Sequence, residues 1–385
     1  MKNTKKLVAL LLSLVMMFSL VACNTSTDTK DESDKESAGE STKESTEESK
    51  GDSEETTGEK AGEAKDFTGK LVGMVTDTGG VDDQSFNQSS WKGLQELKKD
   101  TKAEVTYVQS KQDSDYIPNI NQLLDKNADL SWGIGFLLGD AVKTASQQAP
   151  DKQFAIIDMA YDKPETLPNV TGVVFKAQEP SYLVGYLAAH QTKTNKVGFI
   201  GGKEGVVISQ FDYGFRAGVE DAAKELGKKV EVIVQYANSF NDQAIGKSIA
   251  TKMFANGADI VFHAAGGVGI GVIEAAREAK KFAIGVDQDQ SYLAPENVLT
   301  SAMKRVDKAI YDLSSRILSG EKVGGTTVVY ASEGGFVGIP EWTEKSLYPK
   351  DVYDKVMVKQ QEIVDGKLVP PFNAETFKEY QSKQQ

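Results

Sequence analysis

A chain of 385 residues with 39% apolar side chains can bury the cores of two ordinary domains once its polar first sixty-odd residues are set aside. The net charge of −12 is concentrated between Asp28 and Asp66, where 15 acidic residues stand against 6 lysines; the rest is only mildly acidic and gives no support to a nucleic-acid surface. The only cysteine, Cys23, excludes an intramolecular disulfide and a structural zinc cluster.

The stretch "MKNTKKLVALLLSLVMMFSLVAC" sets Lys2, Lys5 and Lys6 before an apolar run of about 16 residues from Leu7, the pattern of a signal peptide. The run ends at Leu20-Val21-Ala22-Cys23, which resembles a bacterial lipobox, where the cysteine thiol is acylated and the peptide is cut just before it. The expectation is a lipoprotein signal peptide over 1–22 and lipidation at Cys23, which puts the protein at the cell membrane, lipid-anchored on its extracytoplasmic face. An uncleaved anchor with an incidental cysteine is the alternative. Acyl chains contribute about 0.8 kcal/mol per buried methylene. The segment 23–66 is Ser, Thr, Glu, Asp, Lys and Gly almost without apolar residues. It cannot offset its chain entropy by burial, so a disordered tether extended by its own charge is expected.

From Phe67 short apolar runs alternate with amphipathic ones: "KLVGMVT" then "SFNQSSWKGLQELKKD", "AEVTYVQ" then "YIPNINQLLDKN", "LSWGIGF" then "LGDAVKTASQQAP", and "QFAIID". The rhythm restarts with "KVGFIGG" and "QFDYGFRAGVEDAAKELG", and runs through "VEVIVQYA", "QAIGKSIATKMFANG", "ADIVFHAA" and "GIGVIEAAREAK" to "FAIGVD". Two successive strand–helix series predict an α/β protein of two lobes, each a parallel sheet flanked by helices, with a ligand cleft between them. The passages "NVLTSAMKRVDKAIYDLSSRIL" and "GTTVVYASEGGFVGIPEW" offer the chain a way back into the first lobe and out again. The expected division is 67–178 plus 304–335 for lobe I and 179–303 plus 336–380 for lobe II.

Ligands of open parallel sheets sit beyond the carboxyl ends of the strands. There stand Asp77 after the first strand, Asp158 after "FAII", Asp287 closing "FAIGVD", and the small residues around Gly266 after "IVFHAA". Carboxylates in such places accept hydrogen bonds from hydroxyl or ring N–H groups, and an aromatic beside them can stack on a flat ring. Phe86 and Phe211 stand at the expected entrances of helices in opposite lobes, so the two could sandwich a planar ligand; both also fit as hydrophobic staples beneath a loop. Asp77 fits a turn as well, in "DTGG", and Asp82, Asp83 and Ser85 fit helix caps. His263, at a strand end near the cleft, reads as a hydrogen-bonded wall and not as a base. No G-x-G-x-x-G follows the first strand, and no Walker loop, G-x-S-x-G elbow or H-E-x-x-H occurs, which argues against an enzyme. No catalytic residue, metal site or cofactor is expected.

The motifs "VTDTGGVDDQSFNQSSWKGL", "GFRAG", "GVDQDQS" and "TSAMKRVDKAIYD", in this order from about Leu71 to Val369, resemble those of the basic membrane protein family, lipoprotein substrate-binding proteins of ABC transporters. The resemblance implies a type I periplasmic-binding-protein fold, a purine nucleoside ligand and an ABC permease as partner, with a monomer as the working form. By motif it implies base contacts for Asp77 and Asp158, and stacking faces for Phe86, with Asn87 beside it, and for Phe211. It implies ribose-hydroxyl contacts for Gly266 and Asp287, and a ligand contact for Lys304. Around Phe211 the sequence reads "SQFDYGF", where many relatives carry a basic residue just before the aromatic. Two alternatives stay open: a cell-surface receptor or adhesin-like lipoprotein, and a binding protein for another small polar ligand such as a sugar.

Overall fold

Runs of Val, Ile, Phe and Met too short for helices form strands, and the amphipathic runs between them form helices. The computed structural model describes residues 65–383; the signal peptide, Cys23 and the tether up to residue 64 lie outside the described residues. β1 (Leu71–Val75), α1 (Phe86–Thr101), β2 (Glu104–Val108), α2 (Tyr116–Asp125), β3 (Leu130–Gly133), α3 (Gly139–Gln148), β4 (Gln153–Ile157) and β5 (Val170–Phe175) make up the first series. α4 (Gln178–Gln191) leads into β6 (Lys196–Gly201), α5 (Val206–Glu225), β7 (Glu231–Tyr236), α6 (Gln243–Ala255), β8 (Ile260–Ala264), α7 (Val268–Ala279), β9 (Phe282–Asp287) and β10 (Val298–Lys304). The chain closes with α8 (Val306–Leu318), β11 (Thr326–Tyr330), β12 (Val337–Gly338), α9 (Lys350–Val364) and α10 (Ala374–Lys383).

The strands form two six-stranded sheets, ordered β11-β5-β4-β3-β1-β2 and β12-β10-β9-β8-β6-β7. Every pairing is parallel except that of the two-residue edge strand β12 with β10. Helices cover the sheets, so inner strands such as β3, β8 and the four final residues of β4 are buried along their length, as their unbroken apolar runs require. The strand–helix rhythm fails at one corresponding place in each sheet. The crossovers β4–β5 and β9–β10 contain only a 3₁₀ turn each, Pro164–Thr166 and Ser291–Leu293. The helices α9 and α10 go beyond the elements legible in the sequence; Tyr380 of α10 donates to Asp221 of α5 at 2.5 Å. Among the described residues no helix is long and apolar enough to cross a membrane.

The chain passes between the two sheets three times, after β5, after β10 and after β11. The passing segments are tied together: Lys176 N–H donates to the Tyr330 carbonyl (2.9 Å), Arg305 N–H to the Phe336 carbonyl (2.8 Å) and Ser332 N–H to the Glu179 carboxylate (2.8 Å). After the second passage α8 packs on α1 so closely that a Cβ added to Gly93 would lie 2.4 Å from the Asp307 carbonyl oxygen.

Small residues also set the spacing of α4 and α5 under the second sheet. A Cβ added to Gly218 would lie 2.0 Å from the Tyr182 carbonyl oxygen, and one at Gly185 would lie 2.2 Å from that of Phe215. These neighbours are helix backbone and cannot swing aside, so a methyl group forces the helices apart. Gly218→Ala should therefore lower stability by about 1–3 kcal/mol, read as the midpoint of denaturant unfolding; an unchanged midpoint would mean that the pair separates freely.

Candidate functional site

The carboxyl ends of the strands of both sheets turn toward one cavity with about 550 Å³ of empty space, lined by Asp77, Phe86, Asn87 and Asp158 from the first sheet's side and by Phe211, Gly266, Asp287 and Lys304 from the second's. All eight residues picked from the sequence thus stand around one space. Asp83, Phe136 and Phe240 line it as well.

The N-terminus of α1 organises the first wall. Asp83, ahead of the helix, accepts from the backbone N–H groups of Ser85 (3.0 Å), Asn87 (2.8 Å) and Gln88 (3.0 Å), which would otherwise be unpaired at a helix start. Asp77 accepts through one oxygen from the Gly79 N–H and from Asn87 Nδ2, both at 2.8 Å. Asn87 Nδ2 also donates to Asp83 at 3.0 Å. Gly135, at φ 105°, passes beside this corner; a Cβ there would meet the Phe86 ring at 3.4 Å and Asp77 Oδ2 at 3.7 Å.

Across the cavity Lys304, the last residue of β10, is buried and donates to Asp158 Oδ2 at 2.6 Å. Its ammonium lies 4.6 Å from the ring centre of Phe86, 5.4 Å from that of Phe175 and 5.9 Å from that of Phe211, within reach of cation–π attraction. Asp158 and Asp287 both adopt left-handed backbone, at φ 64° and 66°, a conformation that aspartate tolerates better than most residues. Gly266, at φ 55°, is tight for a side chain: an added Cβ would sit 3.1 Å from the Phe240 carbonyl oxygen.

Phe211 does not open its helix as expected. α5 begins at Val206, so Phe211 falls in the second turn, only 2% exposed, and meets Phe262 edge-on at 6.3 Å. Phe240, following β7, is the less buried aromatic of the second wall, and its ring meets that of Phe136 edge-on at 6.3 Å from the opposite side. A lone large aromatic inside the turn-rich "NSFNDQ" was the signal available for it.

The lobes touch directly over the cavity. Ser85 Oγ donates to Asp287 Oδ2 at 2.5 Å. The Gln84 carbonyl, on a residue at φ 56°, accepts from Gln288 Nε2 (3.0 Å) and Gln290 Nε2 (2.8 Å), and Tyr292 OH donates to the Gln84 side chain at 2.7 Å. Asn241 Nδ2 donates to the Thr78 carbonyl at 3.1 Å. Behind this seam the Gln290 side-chain oxygen accepts from Val286 N–H (2.9 Å), so the His263 Nε2 at 3.0 Å from it carries its proton toward that oxygen. Burial pushes His263 down to about 4. It is a neutral support behind the cleft, as its sequence position suggested.

Burial dominates the electrostatics. It pushes Asp287 up to about 6, against the opposing pull of Lys304 and Ser85, and Asp83 up to about 6 in spite of its three backbone N–H donors. It raises Asp77 too, against the Gly79 and Asn87 donors. Among the described residues no group of three or more His, Cys, Asp or Glu side chains could hold a metal ion. The arrangement can grip a flat molecule bearing hydrogen-bond donors.

Residues 70–371 match the family model described as Bmp, ABC transporter substrate-binding protein PnrA-like. The chain is 43% identical over 329 residues, 80% of this chain and 89% of the relative, to the CD4+ T-cell-stimulating antigen of Listeria monocytogenes. It is 36% identical over 312 residues, again 80% of this chain and 90% of the relative, to basic membrane protein A of Borreliella burgdorferi. The crystal structure of an ABC transporter solute-binding protein from Aeropyrum pernix K1 superimposes with a TM-score of 0.73 at 23% identity, covering 80% of this chain and 96% of that one.

The raised carboxyl of Asp287 has a pH consequence. Unfolded aspartate titrates near 3.8, so above about pH 6 the folded chain holds a buried charge that the unfolded chain keeps in water; the cost fades as pH falls through 6 toward 4. Asp287→Asn should therefore stabilise the ligand-free protein relative to wild type by about 1 kcal/mol more at pH 7.5 than at pH 5. Melting temperatures of both proteins across that range check it, and a difference that does not change with pH would overturn it.

Proposed function

The chain belongs to the Bmp family, the PnrA-like substrate-binding proteins of ABC transporters, and we propose that it captures a purine nucleoside between its lobes and delivers it to an ABC permease. The family is one of binding proteins and not of enzymes. The observation that carries the nucleoside ligand is the meeting of aromatic rings and buried carboxyls from opposite lobes, Phe86 with Asp77 and Phe211 with Asp287, around one cavity.

In this proposal the base stacks on Phe86 with a second face from the Phe211 and Phe240 wall, its donors meeting Asp77, Asn87 and Asp158. Asp287 and the Gly266 backbone take ribose hydroxyls, and Lys304 closes the inner end. The open protein offers these groups on separate walls. A ligand that touches both walls binds the closed form better, and closure follows from that difference in affinity. The permease then reads the closed form. Acyl chains on Cys23 would hold the body at the outer face of the membrane, and the acidic stretch that follows would give it reach.

The melting temperature of the full chain should rise with inosine, guanosine or adenosine and stay unchanged with ribose. At a hundredfold excess over Kd the gain is about 2.7 kcal/mol. Phe86→Ala should cost about 1–3 kcal/mol of nucleoside affinity by calorimetry. No shift with any nucleoside, on protein freed of ligand, would remove the proposal.

A further inference from the structure

Asn87 is 1% exposed and lines the cavity, yet its Oδ1 has no hydrogen-bond partner. Both of its amide hydrogens are engaged, since Nδ2 lies 2.8 Å from Asp77 Oδ1 and 3.0 Å from Asp83 Oδ2. The reversed amide would set its oxygen against two carboxylate oxygens, so the two acids fix the orientation between them. Asp83 cannot turn away in exchange, because its two oxygens are held by the N–H groups of Ser85, Asn87 and Gln88. Asp77 Oδ2, on the side facing Phe86 and Gly135, is the second acceptor beside this corner.

We propose that Asp83 is a positioning residue that holds Asn87 as a hydrogen-bond acceptor and thereby makes the cleft select guanine nucleosides among the purines. The inference rests on the nucleoside reading above and adds to it the identity of the base. Taken together as acceptors for the base, Asn87 Oδ1 and Asp77 Oδ2 call for two donors on one edge of the ring. Guanine carries them as N1–H and the 2-amino group. Hypoxanthine has the N1–H and the same 6-oxo group but lacks the amino group, which leaves one buried acceptor unmet. Adenine turns a bare N1 acceptor to the same edge. An unmet buried polar group costs more than its hydrogen bond contributes, so the discrimination is larger than a count of contacts suggests.

Dissociation constants of guanosine, inosine and adenosine, measured by calorimetry on the full chain, test the idea. Guanosine should bind about tenfold or more tighter than inosine, with adenosine weaker still. Asp83→Asn keeps a capping side chain with one acceptor oxygen in place of two; with its N–H₂ at the Oδ2 position the Asn87 N–H and the Asn87 amide both lose their acceptor, and the amide loses its fixed sense. The guanosine-to-adenosine preference should then shrink by about tenfold or more. A loss of affinity equal for all three nucleosides in Asp83→Asn would make Asp83 a helix cap and nothing else. Equal binding of the three by the unaltered protein would overturn the selectivity while leaving nucleoside capture standing. Binding of none would overturn both.

Discussion

Four carboxyl groups and one ammonium share the walls of a single small cavity. Asp77, Asp83 and Asp287 are buried, as are the side chains of Asp158 and Lys304. Only Asp158 has an opposite charge in contact. The other three are stabilised by backbone N–H groups, an amide and a hydroxyl, and burial still raises all three. Taking charge out of water is costly unless donors replace the water. The lobes therefore meet over a site short of donors.

That shortage extends to the contacts between the lobes. Among the contacts that cross the seam are Ser85 to Asp287 and the Gln84 carbonyl to Gln288 and Gln290; Ser85, Asp287 and Gln290 are as buried as the other charged groups. The three chain passages between the sheets are tied to one another by hydrogen bonds. Lys304 stands at one of those passages, one residue before the Arg305 bond to Phe336.

Much of this was legible in the sequence, because parallel strands buried on both faces read as apolar runs and their carboxyl ends mark the cleft. Asp77, Asp158 and Asp287 could be picked from position alone. Phe86 does open α1, whereas Phe211 lies a turn inside α5: helix starts depend on local capping, and Gly205 ahead of Val206 supplies no capping side chain. Asp83 was legible only as a cap candidate. Its hold on the Asn87 amide follows from the geometry of three residues at once, which spacing does not encode. Gln84, Gln290 and Phe240 escaped because their partners lie across the seam; Gln84 and Gln290 are 206 positions apart. The orphan crossovers, β4–β5 and β9–β10, escaped because a short loop with a 3₁₀ turn has no periodicity to read.

The two sheets agree in more than strand count. Starting from their fifth strands they run β5-β4-β3-β1-β2 and β10-β9-β8-β6-β7, and the corresponding strands β4 and β9 each deliver an aspartate in left-handed backbone. The cleft is therefore built on a near twofold relation, in which each wall extends the same acid from the same place. A symmetric cleft alone could not tell one end of a molecule from the other. Symmetry is broken by what each acid faces: a lysine cation at Asp158, a serine hydroxyl at Asp287. The lysine at Asp158 and the serine at Asp287 thus give a repeated frame two unlike ends.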